Sequence, residues 1–288
     1  MKTVFLDFIP SLSLKKNWWQ ILFLTILTIL IIRQAHMIDG TQLPIKLLPL
    51  SPFSKTHGAS GVMAFITIWF IVVLSGMSVA FLIAEKWMNG SKITKGLKFA
   101  ISWGMIYFFG AIEWYPVYGK TSLLADIRLG LIDVLGIIAL GVLAGKFFAS
   151  DNRSGKANIK NNSLTLSVMT ASYVIGRYFA YTILKIESGY IERPVETFIW
   201  TLAAGISFGT FYIASGRNTS EKSPIKKSAF FGLAIVGPGW MIFNLFFPSV
   251  FQGSFVDAIF GRAIVDTIFV VAGAYFSERL IIRNVHDK

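Results

Sequence analysis

The sequence predicts an all-α protein: a polytopic integral membrane helical bundle of about eight transmembrane helices, built as a tandem 4+4 repeat. Three observations predict it. Of 288 residues, 54% are hydrophobic and 15% charged, whereas an ordinary soluble domain is roughly 25% charged; mean hydropathy is +0.63. The apolar residues fall in blocks near the ~20 residues that a helix rising ~1.5 Å per residue needs to cross a bilayer. Most Lys and Arg sit in the connectors between blocks rather than on one face.

Residues 1–17 form a polar tail that cannot enter hydrocarbon. The block that follows, 18–32, is short and lacks a small-residue cleavage site, so it reads as an uncleaved first span rather than a signal peptide. Residues 34–56 carry Pro44, Pro49 and Pro52 and read as an irregular outer loop. Blocks 57–84, 97–114 and 122–148 complete a first four-helix unit over residues 18–150. Blocks 163–186, 195–215, 228–247 and 255–280 make a second over residues 163–282. The seventh is interrupted by Val236-Gly237-Pro238-Gly239-Trp240, either a kink or the broken helix of a transporter site. Trp18, Trp19, Trp87, Trp114, Tyr115 and Tyr190 lie near span ends, where aromatic anchors belong.

Charge orients the chain. Lys2, Lys15 and Lys16 in the tail, Lys86, Lys92, Lys95 and Lys98, then Lys146, Arg153, Lys156 and Lys160 fall on one side. Arg217, Lys222, Lys226, Lys227, Arg279, Arg283 and Lys288 join them, making 18 cations. The other side holds six: Arg33, Lys46, Lys55, Lys120, Lys185 and Arg193. The positive-inside rule then places both termini in the cytoplasm of a cell whose plasma membrane holds the protein. It also accounts for the net charge of +12, so no nucleic-acid partner is inferred. The partners expected are the lipid bilayer and further membrane subunits or a second copy of the chain.

Matches recur along the chain at one constant offset: Phe65-Ile66 with Phe198-Ile199, Gly76 with Gly209, Ile132-Asp133 with Val265-Asp266, and Ala139 with Ala272. Pro116 and Pro248 align after a one-residue gap. Two units with an even number of spans share one orientation, related by a pseudo-twofold axis along the membrane normal.

Charges within spans are expensive and mark function or pairing. Asp133 and Asp266 each lie about 11 residues into their blocks, roughly 16 Å deep. Arg262 and Asp266 are four apart and predict a direct pair on one helix face; Arg128 and Asp133, five apart, align less well. Arg177 sits deep in the fifth block with no acid nearby in sequence, and Glu113 closes the third. Two readings stand side by side: these six residues line a polar site that binds a solute or ion, or they neutralise one another and staple the helices.

The chain has no cysteine and three histidines, so no metal and no cofactor are expected. His36, Asp39 and His57 all fall at the outer face and have a metal-site composition without a metal-site spacing. No P-loop, zincin or nucleophile-elbow pattern occurs. The triplet Asn218-Thr219-Ser220 falls on the cytoplasmic side, where a glycosylation reading has no use.

Two further motifs remain. One is Trp114-Tyr115-Pro116, followed by Asp133 within Leu129-Gly130-Leu131-Ile132-Asp133-Val134-Leu135; the other is Phe231-Gly232-Leu233 leading to Gly237-Pro238-Gly239-Trp240. Together they cover about a quarter of the chain and resemble the A-type subunit of the membrane-bound methane and ammonia monooxygenases. The resemblance implies an all-helical component of a copper-dependent oxygenase complex. The departure is that no histidine lies deep in a span, which leaves a scaffold subunit or a relative that has lost the metal.

Three function classes follow. The leading one is a transporter or permease component for a small or lipid-like solute, centred on Asp133 and Asp266. The second is a monooxygenase-like subunit. The third is a non-catalytic partner or sensor whose buried charges meet another membrane chain. An enzyme is the lesser expectation.

Overall fold

The computed structural model describes residues 14–40, 48–151, 161–217 and 223–286, and all the regular structure there is helical. The expectations placed on Lys2, Pro44, Lys46, Arg153, Lys156, Lys160, Asn218, Thr219, Ser220, Lys222, Lys288 and most of the N-tail lie outside the described residues.

Helix α1 (Leu14–Asp39) is followed by α2 (Pro52–Ala84), a single turn at Glu85–Trp87, α3 (Lys92–Ile112), the short α4 (Trp114–Tyr118) and α5 (Leu123–Phe148). Then come α6 (Asn162–Thr182), α7 (Pro194–Phe211), α8 (Pro224–Phe230), α9 (Gly237–Val250) and α10 (Val265–His286). Six stretches are long and apolar enough to cross a membrane: Trp18–Asp39, Pro52–Trp87, Leu123–Phe148, Pro194–Ser215, Pro224–Val250 and Asp257–Arg283. The other two long helices, α3 and α6, have 21 residues each and are less apolar. Their place in the bundle explains that composition. α3 packs on α5 and α7, α6 on α7 and α10, so protein rather than lipid covers much of their surface and polar side chains are tolerated.

The outer loop expected over 34–56 is partly helical: α1 runs on to Asp39, and α2 starts at Pro52. Two partners on α5 extend α1. His36 Nε2 lies 2.9 Å from Asp133 Oδ1, and Asp39 Oδ1 2.7 Å from Arg128. The start of α2 is a cap, with Ser51 Oγ accepting from the Ser54 N–H at 3.1 Å and proline in the first turn. Gly58 then takes φ 63°, ψ −165° inside α2, a bend that a residue with a Cβ adopts only under strain.

Lipid-facing apolar side chains define the bundle's outside. Phe23, Ile26 and Leu30 on α1, Ile68 and Val72 on α2, Leu131 and Leu135 on α5, Phe198, Ile199 and Ile206 on α7, and Ile268 and Phe276 on α10 are all exposed. A water-soluble surface would not carry so many.

Small residues bring α3 and α5 together. A Cβ on Gly96 would overlap the Gly141 carbonyl, and Gly145 lies against the Lys92 carbonyl. Such backbone approach is the usual device for helix association where lipid removes the hydrophobic drive.

Contacts between the amino- and carboxyl-terminal helices are reciprocal. α3 packs on α7 while α2 packs on α9. Trp200 Nε1 on α7 donates to the Phe109 carbonyl on α3 at 2.5 Å, and Trp69 Nε1 on α2 donates to the Ile242 carbonyl on α9 at 2.9 Å. Phe109 and Ile242 stand at the same offset that relates Asp133 to Asp266. In the same way α1 rests on α5 and α6 on α10.

The Gly-Pro-Gly stretch does not break its helix. The chain continues from α8 into α9 through a widened stretch, Phe231–Val236, with i→i+5 geometry. Pro238 has no N–H and its ring would press on the carbonyl four residues back; a wider turn relieves both problems. A second widened stretch, Asp257–Ile264, leads into α10 without any proline.

Candidate functional site

Two buried networks each centre on an aspartate, Asp266 and Asp133. In the carboxyl-terminal half Asp266, 1% exposed, is the centre. Its Oδ2 accepts from Arg177 Nη2 at 2.7 Å and Trp240 Nε1 at 2.8 Å, with the Tyr173 hydroxyl at 3.4 Å. Arg177, wholly buried, also donates from Nη1 to Glu113 Oε1 at 3.0 Å and from Nε to the Tyr173 hydroxyl at 3.0 Å. Its guanidinium lies over the Trp200 ring at 4.9 Å and the Tyr173 ring at 5.6 Å, where the ring quadrupole favours a cation. Arg262 Nη1 reaches the same Glu113 Oε1 at 2.9 Å, and its Nη2 donates to the Glu187 carbonyl at 2.7 Å. Two arginines and two carboxylates thus form a four-charge set with no net charge.

In the amino-terminal half Asp133 is the centre. Tyr107 donates its hydroxyl to Oδ2 at 3.0 Å, and His36 Nε2 meets Oδ1 at 2.9 Å. Tyr107 precedes Asp133 by 26 residues, and Trp240 precedes Asp266 by the same 26. The aromatic donors come from α3 and α9, Tyr107 and Trp240, and α1 and α6 each supply a nitrogen base, His36 or Arg177. The two bases differ in kind: arginine is always charged, whereas histidine is charged only when protonated.

The expected pairings within single helices are corrected. Arg262 does not bind Asp266; it turns to Glu113, and Asp266 takes Arg177 instead. Both groups have partners on other helices: Asp266 Oδ2 is already held by Arg177 and Trp240, and Glu113 lies within reach of Arg262. Arg128 does not bind Asp133; it holds Asp39 at the end of α1. Sequence reasoning missed Tyr107, Tyr173, Trp240 and His36 as partners. The signal for two of them was present, since Tyr107 and Trp240 are related by the same constant offset as the two aspartates.

Between the networks lies a cavity of about 710 Å3, within the roughly 300–1,000 Å3 common for small-molecule sites. It opens among the end of α1, the first half of α2, the end of α3, the start of α5, the end of α9 and the start of the widened stretch at Asp257. Asp133, Tyr107, Glu113, Arg262, Asn244 and His36 are among its polar lining residues. One wall is a run of touching rings. Tyr107 meets Phe243 at 5.1 Å, Trp69 meets Phe246 at 4.6 Å, Trp114 meets Phe247 at 5.8 Å, and Phe247 stacks on Tyr118 at 4.9 Å.

The cavity therefore brings Asp133, Glu113 and Arg262 to one space; Arg177 and Asp266 stand behind it, and Arg128 sits at the rim of α5 away from its lining. Among the described residues no three His, Asp or Glu side chains converge on one point. His36 is on Asp133, Asp39 on Arg128, and His57 Nδ1 on the Phe53 carbonyl. The donor set for the copper that the monooxygenase resemblance implies is thus not assembled by these side chains.

At the opposite end, Lys95 is buried against Glu85 at 3.0 Å, with the Ser150 carbonyl at 3.0 Å. Lys227 meets Glu278 at 3.0 Å, and the Tyr212 hydroxyl donates to the same carboxylate at 2.9 Å. No protein family, curated protein or solved structure matches the chain. The class that fold and site define is a multi-pass helical membrane protein with a solute-sized cavity between its helices.

Proposed function

We propose that this chain is a transporter or permease component of the plasma membrane, with eight spans in two four-helix halves and both termini in the cytoplasm. One observation carries the reading: the cavity is lined by α1, α2, α3 and α5 on one side and by α9 and the chain leading into α10 on the other. Sites at a repeat interface suit alternating access, in which one half moves against the other around a fixed ligand. The reciprocal tryptophan bonds and the matching donors to Asp133 and Asp266 support the repeat. The 18-to-six distribution of cations supports the orientation.

Glu113 and Arg262, backed by the Arg177–Asp266 pair, form the rigid wall of this site, and Asp133 its adjustable one. The test fills the cavity. Thr67 on α2 lines it, and Thr67→Trp would occupy the space with the buried charges untouched. Small molecules retained by sealed vesicles carrying the wild-type protein, the Thr67→Trp variant or no protein would be compared. A solute whose distribution depends on the wild-type chain alone is the expected result. Identical contents in all three would refute transport.

A further inference from the structure

We propose that the cavity takes a lipophilic organic cation, an apolar molecule bearing one delocalised or quaternary positive charge. The inference rests on the transport reading and gives its substrate class. Two features carry it.

The first is charge. Among the described residues four carboxylates line the cavity, Glu113, Asp133, Glu187 and Asp257, against two guanidinium groups, Arg33 and Arg262. Glu113 is spoken for by Arg177 and Arg262, which also neutralise Asp266. Among the described lining residues, Asp133, Glu187 and Asp257 are then balanced by one guanidinium, that of Arg33. Asp133 is bonded by a neutral phenol and an imidazole, and Glu187 by the Tyr118 hydroxyl at 3.0 Å. The lining is left with an excess of negative charge, and Asp133, the most buried of these three acids, is 6% exposed. A carboxylate that far from water gains from a cation brought to it.

The second is the wall. Trp69, Tyr107, Trp114, Tyr118, Phe243 and Phe247 present aromatic surface along the length of the cavity. Ring faces attract a cation most when it is weakly hydrated and carried on an apolar body. A compact, strongly hydrated cation would lose its water against these rings with few oxygen acceptors besides the carboxylates to replace it. An anion would meet Asp133 and the ring faces, both of them repulsive. Aromatic wall and buried acid together select charge sign and hydrophobicity at once.

The experiment uses two probes of one shape and opposite charge, tetraphenylphosphonium and tetraphenylborate, with the purified full-length protein in lipid nanodiscs. Equilibrium dialysis should show saturable tetraphenylphosphonium binding that tetraphenylborate does not displace. Asp133→Asn, which keeps the side chain's size, should weaken it about tenfold, the effect of losing one charge contact. Asp151→Asn, at an exposed acid paired with Lys92 at the far end of the bundle, should leave it unchanged. A thermal melt of Asp133→Asn like that of the wild type separates lost binding from lost folding. Preferential tetraphenylborate binding would overturn the cation class while leaving a solute site between the halves. Equal binding to wild type and Asp133→Asn would overturn the role of the acid. Binding of neither probe would overturn the proposal, and the vesicle comparison with Thr67→Trp still decides transport by itself.

Discussion

Arg177 on α6 lies 2.7 Å from Asp266 on α10, and the pair is shut off from solvent on every side. With Glu113 also on the guanidinium, Arg177 ties α6, α10 and the end of α3 together. Arg177→Met would leave two carboxylates buried with one fewer partner. Breaking a buried pair from one side costs about 3–5 kcal/mol. The melting temperature in detergent should fall accordingly, while Arg177→Met combined with Asp266→Leu should recover part of the loss. A single variant as stable as the wild type would show that the pair does not hold these helices.

The glycine contact between α3 and α5 offers a second test. Gly96→Ala would drive a methyl group into the Gly141 carbonyl, and neither backbone can yield without separating the helices. Overpacking costs typically about 1–3 kcal/mol. Gly76, with open space around its ideal Cβ, is the control: Gly76→Ala should leave the melting temperature unchanged or raise it. The same response to both would remove close packing as the explanation.

The reciprocal indole bonds predict matched effects. Trp69→Phe and Trp200→Phe each delete one donor to a carbonyl in the opposite half. Each should lower stability by about 1 kcal/mol, the usual net value of one hydrogen bond. Denaturant melts showing one large loss and one negligible loss would argue against equivalent roles for the two tryptophans.

Orientation can be read by chemical labelling because the chain has no native cysteine. Asp151→Cys follows α5 and Lys120→Cys precedes it, so the two lie at opposite ends of one spanning helix. A membrane-impermeant maleimide added to intact cells should label position 120 and spare position 151. The reverse pattern would invert the topology.

Much of this is visible in the bare chain, and for identifiable reasons. Blocks of apolar residues mark helices because hydrocarbon tolerates little else, and an acid or arginine deep in such a block stands out at once. Asp133, Asp266 and Arg177 are legible that way. Which residue meets which is not. Arg177 is 64 residues from Glu113 and 89 from Asp266, so its partners emerge only when α3, α6 and α10 pack. The Arg262–Asp266 expectation fails because each group finds a partner from another helix, Glu113 at the end of α3 for Arg262 and Arg177 on α6 for Asp266. The Tyr107–Trp240 equivalence is hidden by chemistry: phenol and indole do not match as letters, yet both are aromatic donors to an acid.

Because α3 rests on α7 while α2 rests on α9, the two halves are clasped rather than laid side by side. A gene cut between α5 and α6 should yield two pieces that are each insoluble or degraded when made separately. Made together, they should complement one another, every piece supplying the surface that its counterpart would otherwise show to lipid.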